Sequence, residues 1–512
     1  MVGGGVAIEA SRILMDLVWI LAVIFIFALG LLMASIIVLY ILDATQTRHA
    51  IRHNYPVIGR FRNLFETLGT FFRQYFFAMD REEMPFNRAQ RAWVYRAAKA
   101  LNTNQSFGST RDLRQTGTLL FVNCPFPMLE QDIAVPGPVT VGAGCREPYV
   151  TASVFNISGM SYGAISRPAI QALAAGAREA GCWLNTGEGG LAPEHLASGC
   201  DLVFQIGTAK YGVREPDGSL SDERLRAVAA YPQVRMFELK LSQGAKPGKG
   251  GILPAAKVTP EVASVRGIPI GVDSISPNRF PEIDSEEALL DLIAHVRDIT
   301  GKPVGFKCVL GAYGWLDDLF SLICRRGIGS APDFITLDSA EGGTGSAPVS
   351  LMDYMGLPLR ESLPMLVDKL HEYGLHERVK VIASGKLINP ADVAWALCVG
   401  ADFVTSARGY MFALGCIQSL RCHTNHCPTG ITTHDPRLQK GLDPTLKAER
   451  VAHYAREIVR EVGIIAHSCG VGQPRQLGRM HCRIVGEDGR SLSLDELYPI
   501  PETRTEYLRA VR

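Results

Sequence analysis

From about residue 151 to residue 415 the chain repeats one unit, a short apolar run that reads as a strand followed by an amphipathic window that reads as a helix. The strand-like runs are VFNIS, LVFQIG, RMFELKL, PVGFKCVL, DFITLDS, KVIAS and DFVTSA. Runs apolar on both faces belong to a parallel sheet covered by helices. About eight such units fit the segment, which predicts a closed (β/α)8 TIM barrel, an α/β fold, over an open doubly wound sheet. No G-x-G-x-x-G follows an early strand, so a Rossmann unit is not indicated. Helix ends are legible too. Ser166 caps a helix with Pro168 in its first turn and Gly181 after its end. Asp284 and Glu287 have capping-box spacing ahead of an apolar stripe at Leu289, Leu292, Ile293 and Val296. Asn389-Pro390 opens a further helix that Gly400 closes.

In such a barrel chemistry sits past the carboxyl ends of the strands, and glycine-rich polar segments fall there repeatedly. They are Ser158–Gly163, Asn185–Gly190, Gln243–Gly251, Asp338–Gly345 and Ser384–Lys386. Each alone reads as an ordinary βα turn. Together they predict a face where backbone comes close to a ligand. The third segment is not a P-loop: only three residues separate Gly244 from Gly248, and Gly250 stands where the metal-binding hydroxyl belongs. Lys307 lies inside the apolar strand VGFKCV. A buried unpaired ammonium is costly, so it is expected to face a cavity and to stabilise an anion there, the alternative being an edge lysine that snorkels to water.

Ahead of the repeats, Leu17 to Leu42 is a twenty-six-residue stretch without a charge. It is long enough to span a ~30 Å hydrocarbon layer and too long for a signal peptide's apolar region. Arg48, Arg52, Arg60 and Arg62 follow it, whereas Arg12 before it is offset by Glu9 and Asp16. The positive-inside rule then places the catalytic part in the cytoplasm, behind a single-pass membrane helix in contact with lipid. Residues 46–150 are mixed, aromatic and arginine-rich, with a helix expected near Phe86–Ala100, and read as a cap or arm. The expected organisation is a span over 1–45, the cap over 46–150, the barrel over 151–440 and a helical extension over 441–512.

Fifty-two lysines and arginines balance fifty-one aspartates and glutamates, so there is no basic field for nucleic acid. Twelve cysteines in so long a chain are too sparse for a disulfide scaffold. Three of them, Cys416, Cys422 and Cys427, stand at C-x5-C-x4-C with Pro428 after the last. That spacing resembles iron–sulfur ligation by a short loop, and three thiolates suit a three-iron cluster. A zinc site using His423 or His426, or three unligated thiols, are the alternatives.

The segments SGMSYGAIS, NTGEGG, QGAKPGKGG, SAEGGTGSAP, SGKL and GCIQSLRCHTNHCPTG, in that order over roughly 150–440, resemble the FMN-binding synthase domain of glutamate synthase. With QTRHAIRHNYPVIGRFR after the span, the chain is similar to its shorter, membrane-anchored members. The resemblance implies a barrel holding FMN and a [3Fe-4S] cluster, which passes electrons to the flavin for reduction of 2-iminoglutarate to L-glutamate. It implies cluster ligands at Cys416, Cys422 and Cys427, and a flavin-side loop at Ser158, Gly159 and Met160. Lys307 falls near the ring, and Gly342, Gly343, Gly345, Ser384, Gly385 and Lys386 around the ribityl phosphate. Lys246 and Arg266 match the basic residues that hold the 2-oxoglutarate carboxylates, and Glu188 sits in the acidic turn of the same pocket. Lys246, Glu188 and Lys307 are the expected catalytic set.

Two positions depart from the family pattern. Leu191 stands where the large synthases have an acidic residue, and Ile252 where they have glutamine, so the pocket is expected to be less polar. No amidotransferase domain with a nucleophilic N-terminal cysteine and no NAD(P)H site is read in the chain. Ammonia or another amine, and electrons from an external donor, are therefore expected partners beside 2-oxoglutarate. Two further readings stand beside this one: an N-methylglutamate-type synthase using another amine, and a non-catalytic flavin and iron–sulfur electron-transfer module. A relay has no use for the carboxylate clamp of Lys246 and Arg266.

Overall fold

The computed structural model describes residues 3–132, 134–311 and 314–504. The chain forms two compact units, Met1–Ala89 and Gln90–Arg512. The first opens with a 43-residue helix, Gly3–Thr45. Within its Ser11–Thr45 part an eighteen-residue window has a mean hydropathy of 3.0 and no buried residue. By length and composition it can cross a membrane. Two shorter helices follow, Ala50–Asn54 and Gly59–Phe72.

The second unit is built on eight parallel strands. These are β1 Phe155–Ile157, β2 Leu184–Asn185, β3 Leu202–Ile206, β4 Val234–Lys240, β5 Val304–Cys308, β6 Phe334–Asp338, β7 Lys380–Ser384 and β8 Phe403–Ser406. Each pairs with the next and β8 returns to β1, closing the barrel. The strand alternation decides what fills it. Trp183, Val203, Met236, Phe334, Ile382 and Phe403 point inward at the amino-terminal end and form one apolar cluster. Gly305 belongs to the same inward row, and a Cβ there would lie 2.6 Å from the Phe334 ring. An antiparallel pair, Val139–Val141 with Tyr149–Thr151, adds Val141 and Tyr149 to that cluster and plugs this end. Two residues further along each strand the inward positions turn polar, and there the site begins.

β2 is absent from the seven runs read in the sequence because only two of its residues pair, too few for any periodicity to register. The helix expected over Phe86–Ala100 is Arg88–Ala98. Ser166, Asn389, Gly181 and Gly400 occupy the expected cap positions. The helix after Asp284 is capped instead by Ser285, whose hydroxyl accepts from Ala288 N at 3.2 Å. Leu289, Leu290, Ile293 and Val296 are its buried face, so Leu290 takes the place expected of Leu292.

The region beyond 441 is not only a helical extension. Its long helix, Pro444–Ser468, packs against both Arg167–Ala180 and Pro390–Val399, the position of the barrel's last outer helix. A barrel boundary at 440 therefore leaves out one of its own layers. After that helix, Cys482–Val485 and Ser491–Ser493 join Leu119–Phe121 in a three-stranded antiparallel sheet. Strands that pair across some 360 residues leave no local signature.

Candidate active site

The polar layer of the barrel is organised around Glu238. Its carboxylate accepts from Asn185 Nδ2 at 2.8 Å, from Gln205 Nε2 at 2.6 Å and from Thr336 Oγ1 at 2.5 Å. A buried carboxylate survives only when so satisfied. Above this floor is a small cavity whose lining includes Ser158, Asn185, Glu238, Lys307, Thr336 and Thr405. Lys307 is buried and pairs with Asp338 Oδ2 at 3.2 Å. Burial pushes its ammonium towards the neutral form, but Asp338 and Glu238 outweigh that and hold its pKa above the ordinary value.

The glycine-rich loops close over one another round this cavity. Gly187, at φ +67°, lets the β2 loop lie on the β1 loop, where a Cβ would fall 2.4 Å from Ser161 N. Ser158 and Met160 are buried there, and a Cβ on Gly159 would meet Asn185. Gly244 N donates to Asp338 Oδ2 at 3.0 Å, and a Cβ on Gly244 would strike Ser339 O and Gly342. Gly343 lies against Arg408, whose Nη2 donates to Glu341 O at 2.6 Å. Gly345 faces open space. Gly385 packs on Ser339, and Lys386 reaches Glu341 at 3.5 Å. Ser384 is buried at the end of β7. Two buried hydroxyls, Ser339 Oγ and Thr405 Oγ1, have no hydrogen-bond partner among the described residues. A polar ring or phosphate held at this end would satisfy them, so the donor set fits a flavin nucleotide.

Beside the cavity lies a cluster of charges. Glu188 pairs with Lys240 Nζ at 2.9 Å, and the same ammonium donates to Gln243 Oε1 at 2.7 Å. Gly207 and Gly251 wall the carboxylate, because a Cβ on either would lie 2.7–2.8 Å from it. Burial pushes Glu188 up, yet Lys240, Lys246 and Arg266 together hold it below its ordinary value. Lys246 is buried, and its pKa falls to about 8, through burial first and Lys240 second, against the pull of Glu188. Arg266 is buried too. It donates to Tyr162 O at 3.0 Å and Ser274 Oγ at 3.3 Å, and its guanidinium lies 5.0 Å from the Tyr211 ring centre. Its Nε has no partner among the described residues. The three residues expected to meet a dicarboxylate are thus within one electrostatic neighbourhood. Leu191 is half-buried, whereas Ile252 is 42% exposed on a short antiparallel strand pair in which it faces Ile275.

The cysteine loop is bolted to the same face. Lys257, itself buried, donates to Ala164 O at 2.8 Å and to Cys422 O at 3.1 Å, joining the β1 loop to the cysteines. His434 Nε2 meets Gly163 O at 2.8 Å, and Ser166 Oγ donates to Gly430 O at 2.7 Å. Tyr95 donates to Cys416 O at 2.6 Å. Gln418, Leu420 and Asn425 all have positive φ, so the loop curls tightly between its cysteines. Gln418 N donates to Cys416 Sγ at 3.4 Å. Burial pushes the Cys416 thiol up to about 12 and raises that of Cys422. Cys427 moves the other way, because donors from Thr429 and Thr432 outweigh burial and hold it below its ordinary value. Among the described residues no three His, Cys, Asp or Glu side chains converge closely enough to share a single metal ion. Sulfurs that accept N–H and O–H donors from a curled loop fit a multinuclear iron–sulfur cluster.

Lys240, Glu238 and Arg408 were not among the expected site residues. A signal for the first two exists: they stand two apart at the carboxyl end of β4, so strand alternation turns both into the barrel. Arg408 begins a helix, where an arginine reads as solvated.

Residues 130–472 match the family model described as the conserved region in glutamate synthase. The chain is 38% identical to the glutamate synthase large subunit-like protein YerD of Bacillus subtilis, over 92% of this chain and 97% of that one. It is 35% identical to the archaeal-type glutamate synthase [NADPH] of Thermotoga neapolitana, over 67% of this chain and 65% of that one. With the archaeal glutamate synthase [NADPH] of Methanocaldococcus jannaschii it shares 35% identity, over 66% of this chain and 63% of that one. It therefore spans nearly all of the Bacillus relative but less than two thirds of these two NADPH-named ones.

Proposed function

This chain belongs to the glutamate synthase family, and from that premise we propose that it is a membrane-anchored FMN- and iron–sulfur-dependent oxidoreductase. Its reaction is reduction of 2-iminoglutarate, formed from 2-oxoglutarate and ammonia, to L-glutamate with electrons from an external donor. The observation that carries this is the meeting of Lys240, Lys246 and Arg266 around Glu188 beside the Lys307 cavity. Three cations round one carboxylate leave a positive excess suited to a small dianion.

When bound, the flavin supplies hydride and the cluster feeds it electrons. Ser158, Gly159, Met160, Lys307, Gly342, Gly343, Gly345, Ser384, Gly385 and Lys386 would hold the flavin, and Cys416, Cys422 and Cys427 the cluster. Lys246 and Arg266 grip the two carboxylates and exclude water from them. Glu188, kept ionised by its neighbours, accepts hydrogen bonds from the substrate nitrogen and so favours its protonated, more electrophilic form. Lys307 offsets negative charge that develops at the cavity. The helix Gly3–Thr45 anchors the chain with the barrel on the cytoplasmic side.

The test is to reduce the bound flavin of the full-length protein in detergent without oxygen, then add 2-oxoglutarate with ammonia. Flavin reoxidation with stoichiometric L-glutamate is expected, and Lys246→Ala should lose it while keeping its flavin. Leu191, directly after the Glu188 turn, favours a less polar donor as the second reading, and methylamine in place of ammonia tests it. Reoxidation by neither amine would leave an electron-transfer module.

A further inference from the structure

The segment after the long helix presents a second feature that the catalytic reading does not use. In the helix Gly59–Phe72 and the wider turn that prolongs it through Phe77, Phe61, Leu64, Phe65, Leu68, Phe71, Phe72, Tyr75 and Phe76 recur at i, i+3, i+4 and i+7. That spacing puts them on one stripe. All are exposed, from 36% at Leu68 to 74% at Phe76. Neighbouring rings touch along the stripe, Phe61 to Phe65 at 6.4 Å and Phe72 to Phe76 at 5.7 Å. The opposite face carries Arg62, Asn63, Glu66, Thr70 and Arg73, with Arg62 and Glu66 paired at 3.2 Å.

This helix is clipped to the end of the apolar one. Asp43, 1% exposed, receives Arg60 Nε at 2.7 Å, Arg60 Nη2 at 2.8 Å and Val57 N at 3.0 Å. Gly59 permits a close approach to the short helix Ala50–Asn54 between them, because a Cβ there would lie 2.8 Å from Ile51 O. The bidentate pair fixes the start of the amphipathic helix at the place where the long helix leaves its apolar stretch.

We infer that residues 59–77 form an interfacial membrane helix, with the aromatic stripe sunk into the headgroup and acyl boundary and the arginine face turned to anionic headgroups. The inference rests on the reading of Gly3–Thr45 as a membrane span. Three observations name lipid as the occupant. The stripe begins at Phe61, sixteen residues after the long helix ends at Thr45, and is held to that end by the Asp43–Arg60 pair. It is aromatic-rich, as boundary segments are. Asp43 and Glu66 offset Arg60 and Arg62, which leaves Arg48, Arg52 and Arg73 as a positive excess that matches phosphatidylglycerol-type headgroups.

The experiment uses the full chain in vesicles of phosphatidylcholine and phosphatidylglycerol, with p-benzoylphenylalanine placed singly in place of Ile26, Asn63, Phe65, Thr70 or Phe72. After illumination, lipid adducts are read by mass. Adducts at 26, 65 and 72, with roughly tenfold less at 63 and 70 as for a helix lying in the boundary plane, are expected. Adducts at 26 with none at 65 and 72, with equal yields at all four helix positions, or with 65 and 72 crosslinked to protein instead, overturn the interfacial helix alone. No lipid adduct at 26 removes the span and overturns both readings.

Discussion

Lys240 Nζ lies 2.9 Å from Glu188 Oε1, in a pair whose side chains are only 12% and 15% exposed. It joins the end of β4 to the β2 loop and fixes the charge of the one acidic group in the cluster. Lys240→Met should remove the direct ion pair of that buried carboxylate and leave it to the more distant Lys246 and Arg266, at a cost of up to about 3 kcal/mol unless it takes up a proton. The expected outcome is a rise in the pKa of Glu188 and a kcat/KM for the oxo acid lowered ~100-fold, since ~2.7 kcal/mol corresponds to that factor. Flavin content, which depends on other loops, should not change. Steady-state rates against pH, with flavin absorbance per chain, check this.

Lys246 titrates at about 8 in the fold against an ordinary 10.5. Unfolded, it keeps its proton up to the higher value, so between the two the unfolded chain binds more protons. Stability should therefore rise with pH across that window, by about 3 kcal/mol in all. Dicarboxylate binding has the opposite slope, because the clamp needs the ammonium. KM for 2-oxoglutarate should climb as pH passes about 8, and Lys246→Arg should move the climb to higher pH. A KM profile that is flat from neutrality to the lysine range sinks the clamp assignment.

The sequence made the barrel and its active face legible for a physical reason. Buried parallel strands carry runs of apolar residues, and the close loop packing at Gly187, Gly244 and Gly385 demands glycine locally. Lys246 and Arg266 could be picked out only through resemblance, since nothing in their local pattern separates them from surface cations. Lys240 and Glu238 sat in a run already explained as a strand. β2 is too short for a period to show, and the last outer helix and the C-terminal strands depend on partners far along the chain, which no window of residues contains.

Lys257 is a buried cation spanning two loops by hydrogen bonds to Ala164 O and Cys422 O. Lys257→Met keeps the length and apolar stem but leaves two carbonyls without their donor, each worth about 1–3 kcal/mol when charged partners are involved. The cysteine loop should loosen from the β1 loop. Iron and acid-labile sulfide per chain are expected to fall while flavin per chain holds. Unchanged iron in anaerobically prepared Lys257→Met would show that the loop is held by His434 and Ser166 without it.

Gly176 is where the barrel's outer layer closes. It lies on the helix Arg167–Ala180, and a Cβ there would stand 2.5 Å from Val451 Cβ and 2.7 Å from Ala448 O on the helix Pro444–Ser468. Alanine ordinarily gains about 1 kcal/mol over glycine inside a helix. Here the contact wins, because the Val451 Cβ is fixed to its backbone and the Ala448 carbonyl cannot rotate away. Separating the helices costs about 1–3 kcal/mol in overpacking. Gly176→Ala should thus unfold at lower temperature than the parent at a matched scan rate, against the helix-propensity trend. Adding Val451→Ala should recover only part of the loss, since the carbonyl contact and the valine Cβ position both remain. An unchanged or higher midpoint for Gly176→Ala would mean that the two helices do not approach this closely.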